Sequence, residues 1–198
     1  MNREIFLIVG LGNIGDEYAH TRHNAGFDAL ERLENRLGLQ LRRKLLLRGL
    51  TGEITDGEKK IVLCKPATFM NSSEDCVEKL VRWYDVPLDH LLVIYDDIDL
   101  PPGRVRVRKS GGPGTHNGMR DIVERLGSES FPRIRIGTGD RPKGQDLVTW
   151  VLGHAAPEER KVMEEAFDCA ANCALDWVRN GIDSAMRTAA SAKSPSAL

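Results

Sequence analysis

Two short apolar runs constrain this chain most: Ile5-Phe6-Leu7-Ile8-Val9 and Leu91-Leu92-Val93-Ile94-Tyr95. Neither alternates with polar residues, and both are rich in β-branched or bulky side chains. That is the pattern of a strand buried on both faces, which needs helices packed above and below it. Stretches with helical spacing supply them. Residues 24–38 place Phe27, Leu30, Leu33 and Leu37 on one face, with Thr21 or Asn24 as candidate caps. Ser72 or Ser73 opens a helix carrying Val77, Leu80, Val81 and Tyr84, which Pro87 ends. A helix follows the Gly-rich stretch Gly111 to Asn117 as far as Leu126, and residues 157–180 are amphipathic. Residues 47–54 and 60–64 read as strands around Asp56-Gly57, a hairpin signal. Residues 103–109 and Pro132 to Gly137 alternate as strands do. The expected fold is α/β: a single domain with a mixed, mostly parallel twisted sheet between helices. The domain is expected over 1–183, with 184–198 (rich in Ala, Ser, Lys and Pro) as a flexible tail.

With 41% hydrophobic and 29% charged residues, the chain reads as soluble and globular. Its early apolar run, Ile5 to Gly12, is too short to span a bilayer or form a signal core. The four cysteines form no CxxC pair, so neither a disulfide scaffold nor a zinc knuckle is indicated. The expectation is a reduced, cytoplasmic protein without membrane attachment. Gly10-Leu11-Gly12-Asn13-Ile14-Gly15 fits GxGxxG directly after a strand. A dinucleotide fingerprint would open a helix inside the motif. Asp16 to His23 is instead polar and irregular. The alternatives are a plain strand-to-loop turn, or a turn that carries Asn13 to the carboxyl ends of the strands, where ligands of open α/β sheets collect.

His23 ends that connection, and Asp96 follows the run 91–95, so both fall at one edge of the sheet. A carboxylate bonded to one imidazole nitrogen leaves the other as a base. Asp96, Asp97 and Asp99 could instead be a metal site or a solvated loop, but a metal site would want more carboxylates or histidines, and the chain supplies none at a recognisable spacing. The chain's net charge is only −1, but residues 101–150 hold ten Lys/Arg against five Asp/Glu. On a strand, Arg104, Arg106 and Arg108 share one face, and so do Arg133 and Arg135. The choice is between an edge strand guarded by charge and a phosphate-binding face; clustering favours the second.

These segments carry a resemblance to the bacterial peptidyl-tRNA hydrolases. The chain holds GLGNIGDEYAHTRHNAG (10–26), KPATFMNSSE (65–74), DDIDLPPG (96–103), GGPGTHNG (111–118) and FPRIRIGTGDRP (131–142), all in the family's order. By position, the resemblance implies His23 as catalytic base, Asp96 as its supporting acid, and Asn13 as the residue that distinguishes a blocked amine from a free one. It implies Tyr18, Phe69, Asn71 and Asn117 as contacts to the substrate's peptide and tRNA 3′ end, and Arg108 and Arg135 against tRNA phosphate. The implied activity is hydrolysis of the ester in peptidyl-tRNA, recycling tRNA from prematurely released peptidyl-tRNA, by a monomer with no cofactor and no metal. Ile14, Glu74, Thr115 and Thr138 depart from the family pattern without removing a chemical group from the site. Two other readings stay open: a non-catalytic RNA-binding relative and a nicotinamide-dependent oxidoreductase.

Overall fold

The structure, a computed structural model, describes residues 3–192. The first apolar run becomes β1 (Glu4–Gly10) and the second β5 (Leu91–Asp97), every residue of which is buried. Between them come α1 (Ala25–Leu37), β2 (Arg42–Lys44), β3 (Gly49–Asp56), β4 (Lys59–Pro66) and α2 (Ser73–Tyr84). After β5 come β6 (Val105–Arg108), α3 (Asn117–Leu126), β7 (Arg133–Gly137), α4 (Leu147–Val151), α5 (Pro157–Asn180) and α6 (Ile182–Ser191). The sheet order is β2-β3-β4-β1-β5-β7-β6. β4, β1, β5 and β7 pair in parallel, whereas β2, β3 and β6 join by antiparallel pairing. The mixed sheet expected from the hairpin is thus present, with the parallel strands at its centre.

Alternation along the strands divides the core. Phe6, Ile8, Leu92 and Ile94 face α1, α5 and α6, while Leu7, Val9, Leu91, Val93 and Tyr95 face α2 and α3. β1 has β4 on one side and β5 on the other: the chain builds the sheet outward on one side of β1, then crosses back to add β5 on the other. That reversal opens a crevice beyond the strands' carboxyl ends. The glycines of the first motif serve packing there. A Cβ on Gly26 would lie 2.3 Å from Ile94 O, and one on Gly10 would lie 2.3 Å from Gly26 O. β1, β5 and the start of α1 therefore touch backbone to backbone. No helix opens inside the motif; two 3-10 turns (Asp16–Tyr18 and Arg22–Asn24) precede α1. This removes the geometric basis for a dinucleotide fingerprint.

Several local expectations are corrected. Neither Thr21 nor Asn24 caps a helix with its side chain: Thr21 Oγ1 donates to Tyr18 O, and Asn24 turns to Asn13. α2 ends at Asp85, in the left-handed region, before Pro87 is reached. Arg104 precedes β6 and lies beside Glu165 and Cys169 of α5, outside the row formed by Arg106 and Arg108. A helix stands where the tail was expected to begin. Gly181 (φ 88°) turns the chain, and Ala185 and Ala189 of α6 are buried in the core. Asp176 of α5 accepts from Ser184 Oγ at 3.1 Å and Thr188 Oγ1 at 2.7 Å. The small residues that suggested fraying are what let α6 pack closely. The last part of the expected tail, 193–198, lies outside the described residues.

Candidate active site

The crevice holds a cleft of about 480 Å³. β1 delivers Asn13, β5 delivers Asp96, the turn before α1 delivers His23, and the turn before α2 delivers Phe69 and Asn71. The start of α3 delivers Asn117 and β7 delivers Arg135. Tyr18 lines the cleft as well. Of the basic residues read as a phosphate-binding face, only Arg135 lines the cleft; Arg108 lies outside it, exposed on the edge strand β6.

Asp96 is the centre of the arrangement. It is 2% exposed, and its carboxylate meets His23 Nδ1 at 2.9 and 3.0 Å and His116 Nε2 at 3.0 Å. His116 is the residue sequence reasoning missed. It occupies the N-cap of α3 and its Nδ1 accepts from Met119 N–H at 3.1 Å. The ring proton therefore sits on Nε2, which donates to Asp96. Histidine is not a favoured N-cap residue, so its place just before a helix was the available signal. Its partnership with Asp96 is made through space, and no spacing encodes it. Burial alone would push the Asp96 carboxyl up; the two imidazoles outweigh it and hold the group well below the usual carboxylate range. Burial alone would push His23 down; Asp96, by charge and hydrogen bond, overcomes this and holds the imidazole above its ordinary 6.5.

Asn13 is fixed just as firmly. Its backbone N–H donates to Asn24 Oδ1 and its C=O accepts from Asn24 Nδ2, both at 2.9 Å. Its side-chain Oδ1 accepts from Met70 N–H at 2.7 Å. That bond assigns the amide, leaving the NH₂ available to a group in the cleft. Asn24, read from sequence as a cap, is the support for Asn13. Phe69 is 62% exposed beside Tyr18, the rings 6.4 Å apart and edge to face. Asn71 and Asn117 are exposed, and Asn117 Oδ1 accepts from Arg120 at 3.2 Å.

The basic and acidic clusters divide by role. Asp97 pairs with Arg135 and accepts from Asp99 N–H, so of the three acids only Asp96 joins the histidines. Arg133 is 1% exposed and donates to the carbonyls of Gly111 and Glu129, bracing the Gly-rich loop instead of facing solvent. The ligand atoms of His23, Asp96 and His116 lie within 4.8 Å of one another, a spacing that suits a metal. Their hydrogen bonding does not. Binding through His116 Nε2 would move its proton to Nδ1, where Met119 N–H already points. The donor set is built for two imidazoles sharing one carboxylate.

The family model described as peptidyl-tRNA hydrolase matches residues 7–197. A peptidyl-tRNA hydrolase of Syntrophomonas wolfei subsp. wolfei is 46% identical over 180 residues, covering 91% of this chain and 97% of the relative. One from Caldanaerobacter subterraneus subsp. tengcongensis is 45% identical over 182 residues, covering 92% and 97%. The crystal structure of the peptidyl-tRNA hydrolase from Acinetobacter baumannii superposes with a TM-score of 0.89 at 35% identity, covering 96% of this chain and 97% of that one.

Proposed function

This chain belongs to the peptidyl-tRNA hydrolase family, and from that premise we propose that it hydrolyses the ester joining a peptide to the 3′ ribose of tRNA with His23 as general base. The observation that carries the reading is His23 Nδ1 held on the Asp96 carboxylate at 2.9 Å at the floor of the cleft. With its proton on Nδ1, His23 has its lone pair on Nε2, where it takes a proton from water. The hydroxide adds to the ester carbonyl. The carbonyl oxygen becomes an oxyanion, and the free NH₂ of Asn13 is the group assigned to stabilise it. Collapse breaks the bond to the ribose oxygen, which takes the proton back from the imidazolium. Asp96 stays ionised throughout and stabilises that imidazolium. The ribose oxygen of an ester leaves readily once protonated, so the chemistry calls for neither a covalent intermediate nor a cofactor.

Phe69 and Tyr18 are assigned to the base at the tRNA end, where aromatic faces stack without reading sequence. Asn71 and Asn117 are assigned to the peptide group and the terminal ribose. Arg135 and Arg108 are assigned to phosphate, which positions any tRNA alike. Free aminoacyl-tRNA carries an ammonium where the substrate has an amide, and Asn13 is assigned to that discrimination. The reading places the enzyme in the cytoplasm as a monomer. Among the described residues no helix is long and apolar enough to cross a membrane. The test uses N-acetyl-aminoacyl-tRNA and unblocked aminoacyl-tRNA, each with excess EDTA. Release of the blocked amino acid alone, indifferent to EDTA, is expected. No release by pure protein that binds tRNA would overturn the enzyme reading in favour of an RNA-binding module.

A further inference from the structure

Resting on the reading above, we infer that Arg22 is a positioning residue that fixes α4 as an apolar wall of the cleft. This wall takes the side chain of the amino acid esterified to tRNA. α4 has five residues, too few to hold its own place by helix formation. Yet Leu147, Val148, Val151 and Leu152 line the cleft. The anchor is the residue next to His23. The Arg22 guanidinium, 5% exposed, lies 3.6 Å over the Trp150 ring. Its Nη1 donates to His154 O at 2.9 Å and its Nη2 to Glu159 at 3.0 Å. Its backbone N–H donates to Gly153 O at 3.0 Å. Trp150 Nε1 in turn donates to Gly139 O at 3.0 Å, beyond the end of β7. α4 is thus pinned at its far end to the turn that carries His23 and to the sheet. A planar fork that stacks and donates in two directions is arginine chemistry that lysine does not reproduce.

The wall's composition selects what it takes. The tRNA terminus offers a base, ribose and phosphate, and aliphatic side chains match none of these. They match the side chain of the esterified amino acid, which must lie within a few ångströms of the reacting carbonyl.

The test uses one tRNA body acylated with N-acetyl-leucine or N-acetyl-glycine. Val148 is 57% exposed, so Val148→Ser changes the wall at a site where the fold is tolerant. It is expected to lower kcat/KM for the leucine ester relative to the glycine ester by about three- to tenfold, the worth of one or two methyl groups out of water. Arg22→Lys is expected to raise KM for the leucine ester about tenfold, with a smaller effect on kcat. Its acid limb in the pH profile should match wild type, because the His23–Asp96 bond is untouched. Should Arg22→Lys fail to fold, Trp150→Phe keeps a ring under the guanidinium but removes the indole N–H, and the same relative loss is expected. Equal losses on both esters, or an acid limb displaced in Arg22→Lys, would overturn the inference. Wild type that cleaves neither ester would overturn the proposed function itself.

Discussion

At the scale of single residues, two hydrogen bonds do more than distances alone suggest: one settles which nitrogen of His116 meets Asp96, the other which end of the Asn13 amide is left to the cleft. Met119 N–H on His116 Nδ1 sets that ring's proton toward Asp96. Met70 N–H on Asn13 Oδ1 leaves the amide NH₂ to the cleft. The second gives a clean prediction. Asn13→Asp keeps an oxygen for Met70 N–H but replaces the NH₂ by another oxygen. We expect kcat to fall about 10²–10³-fold, the usual cost of an oxyanion donor, with the thermal midpoint little changed. A loss of less than about threefold would reassign the oxyanion to another donor. The raised pKa of His23 also enters stability. The protonated imidazole contributes fully below its ordinary 6.5, and that contribution is lost as pH rises through the raised value.

At the scale of elements, close approach governs where the site residues sit. Helix propensity favours Ala over Gly by about 0.8–1.0 kcal/mol in a helix interior. At Gly26 the contact wins: an added Cβ meets Ile94 O at 2.3 Å and Leu11 N at 2.5 Å, both backbone atoms that cannot swing aside. Gly26→Ala is expected to destabilise by about 1–3 kcal/mol in denaturant unfolding, and to cut activity by displacing the turns that hold Asn13 and His23. A stabilised variant would contradict this packing account. The same scale explains what was legible in the sequence. β1, β5 and the 24-residue α5 announce themselves through composition or period. β2 is three charged residues and α4 five residues, too short for any period to register. α6 is small and Ala-rich, and its order comes from Asp176 and the core, neither visible locally. Among the residues lining the cleft, those inside ordered motifs (His23, Asp96, Asn13, Asn71, Asn117) were indicated by the resemblance, His23 and Asp96 also by their place at one edge of the sheet. His116, Arg22 and Asn24 sit in the same motifs, but their work is done on partners distant in sequence, such as Asp96 for His116 and Trp150 for Arg22.

At the scale of the whole molecule, a reversal of strand order at β1 gathers loops from five strands and the helices between them around one cleft. Charge is distributed to match. The net charge is −1, so affinity for a polyanion must come from local groups. The basic segment is smaller in effect than its count implies, since Arg133 is buried and Arg135 is paired with Asp97. The assigned phosphate contacts are therefore few. Arg108→Ala should lower the slope of log K against log salt for tRNA binding by about 0.7–0.9 without changing which tRNAs bind, and an unchanged slope would remove Arg108 from the interface. In the proposed mechanism His23 is the base, and Asp96 both orients it and holds its pKa above 6.5. The pH profile of kcat/KM on N-acetyl-aminoacyl-tRNA tests this most directly, with wild type, His23→Ala and Asp96→Asn side by side. A base works unprotonated, so wild-type activity should fall on the acid side through a value above 6.5. In Asp96→Asn the anion that favours the imidazolium is gone, so the plateau should drop and the acid limb move to lower pH. His23→Ala should show no such limb. A wild-type acid limb well below 6.5, or one that survives in His23→Ala, would contradict the account.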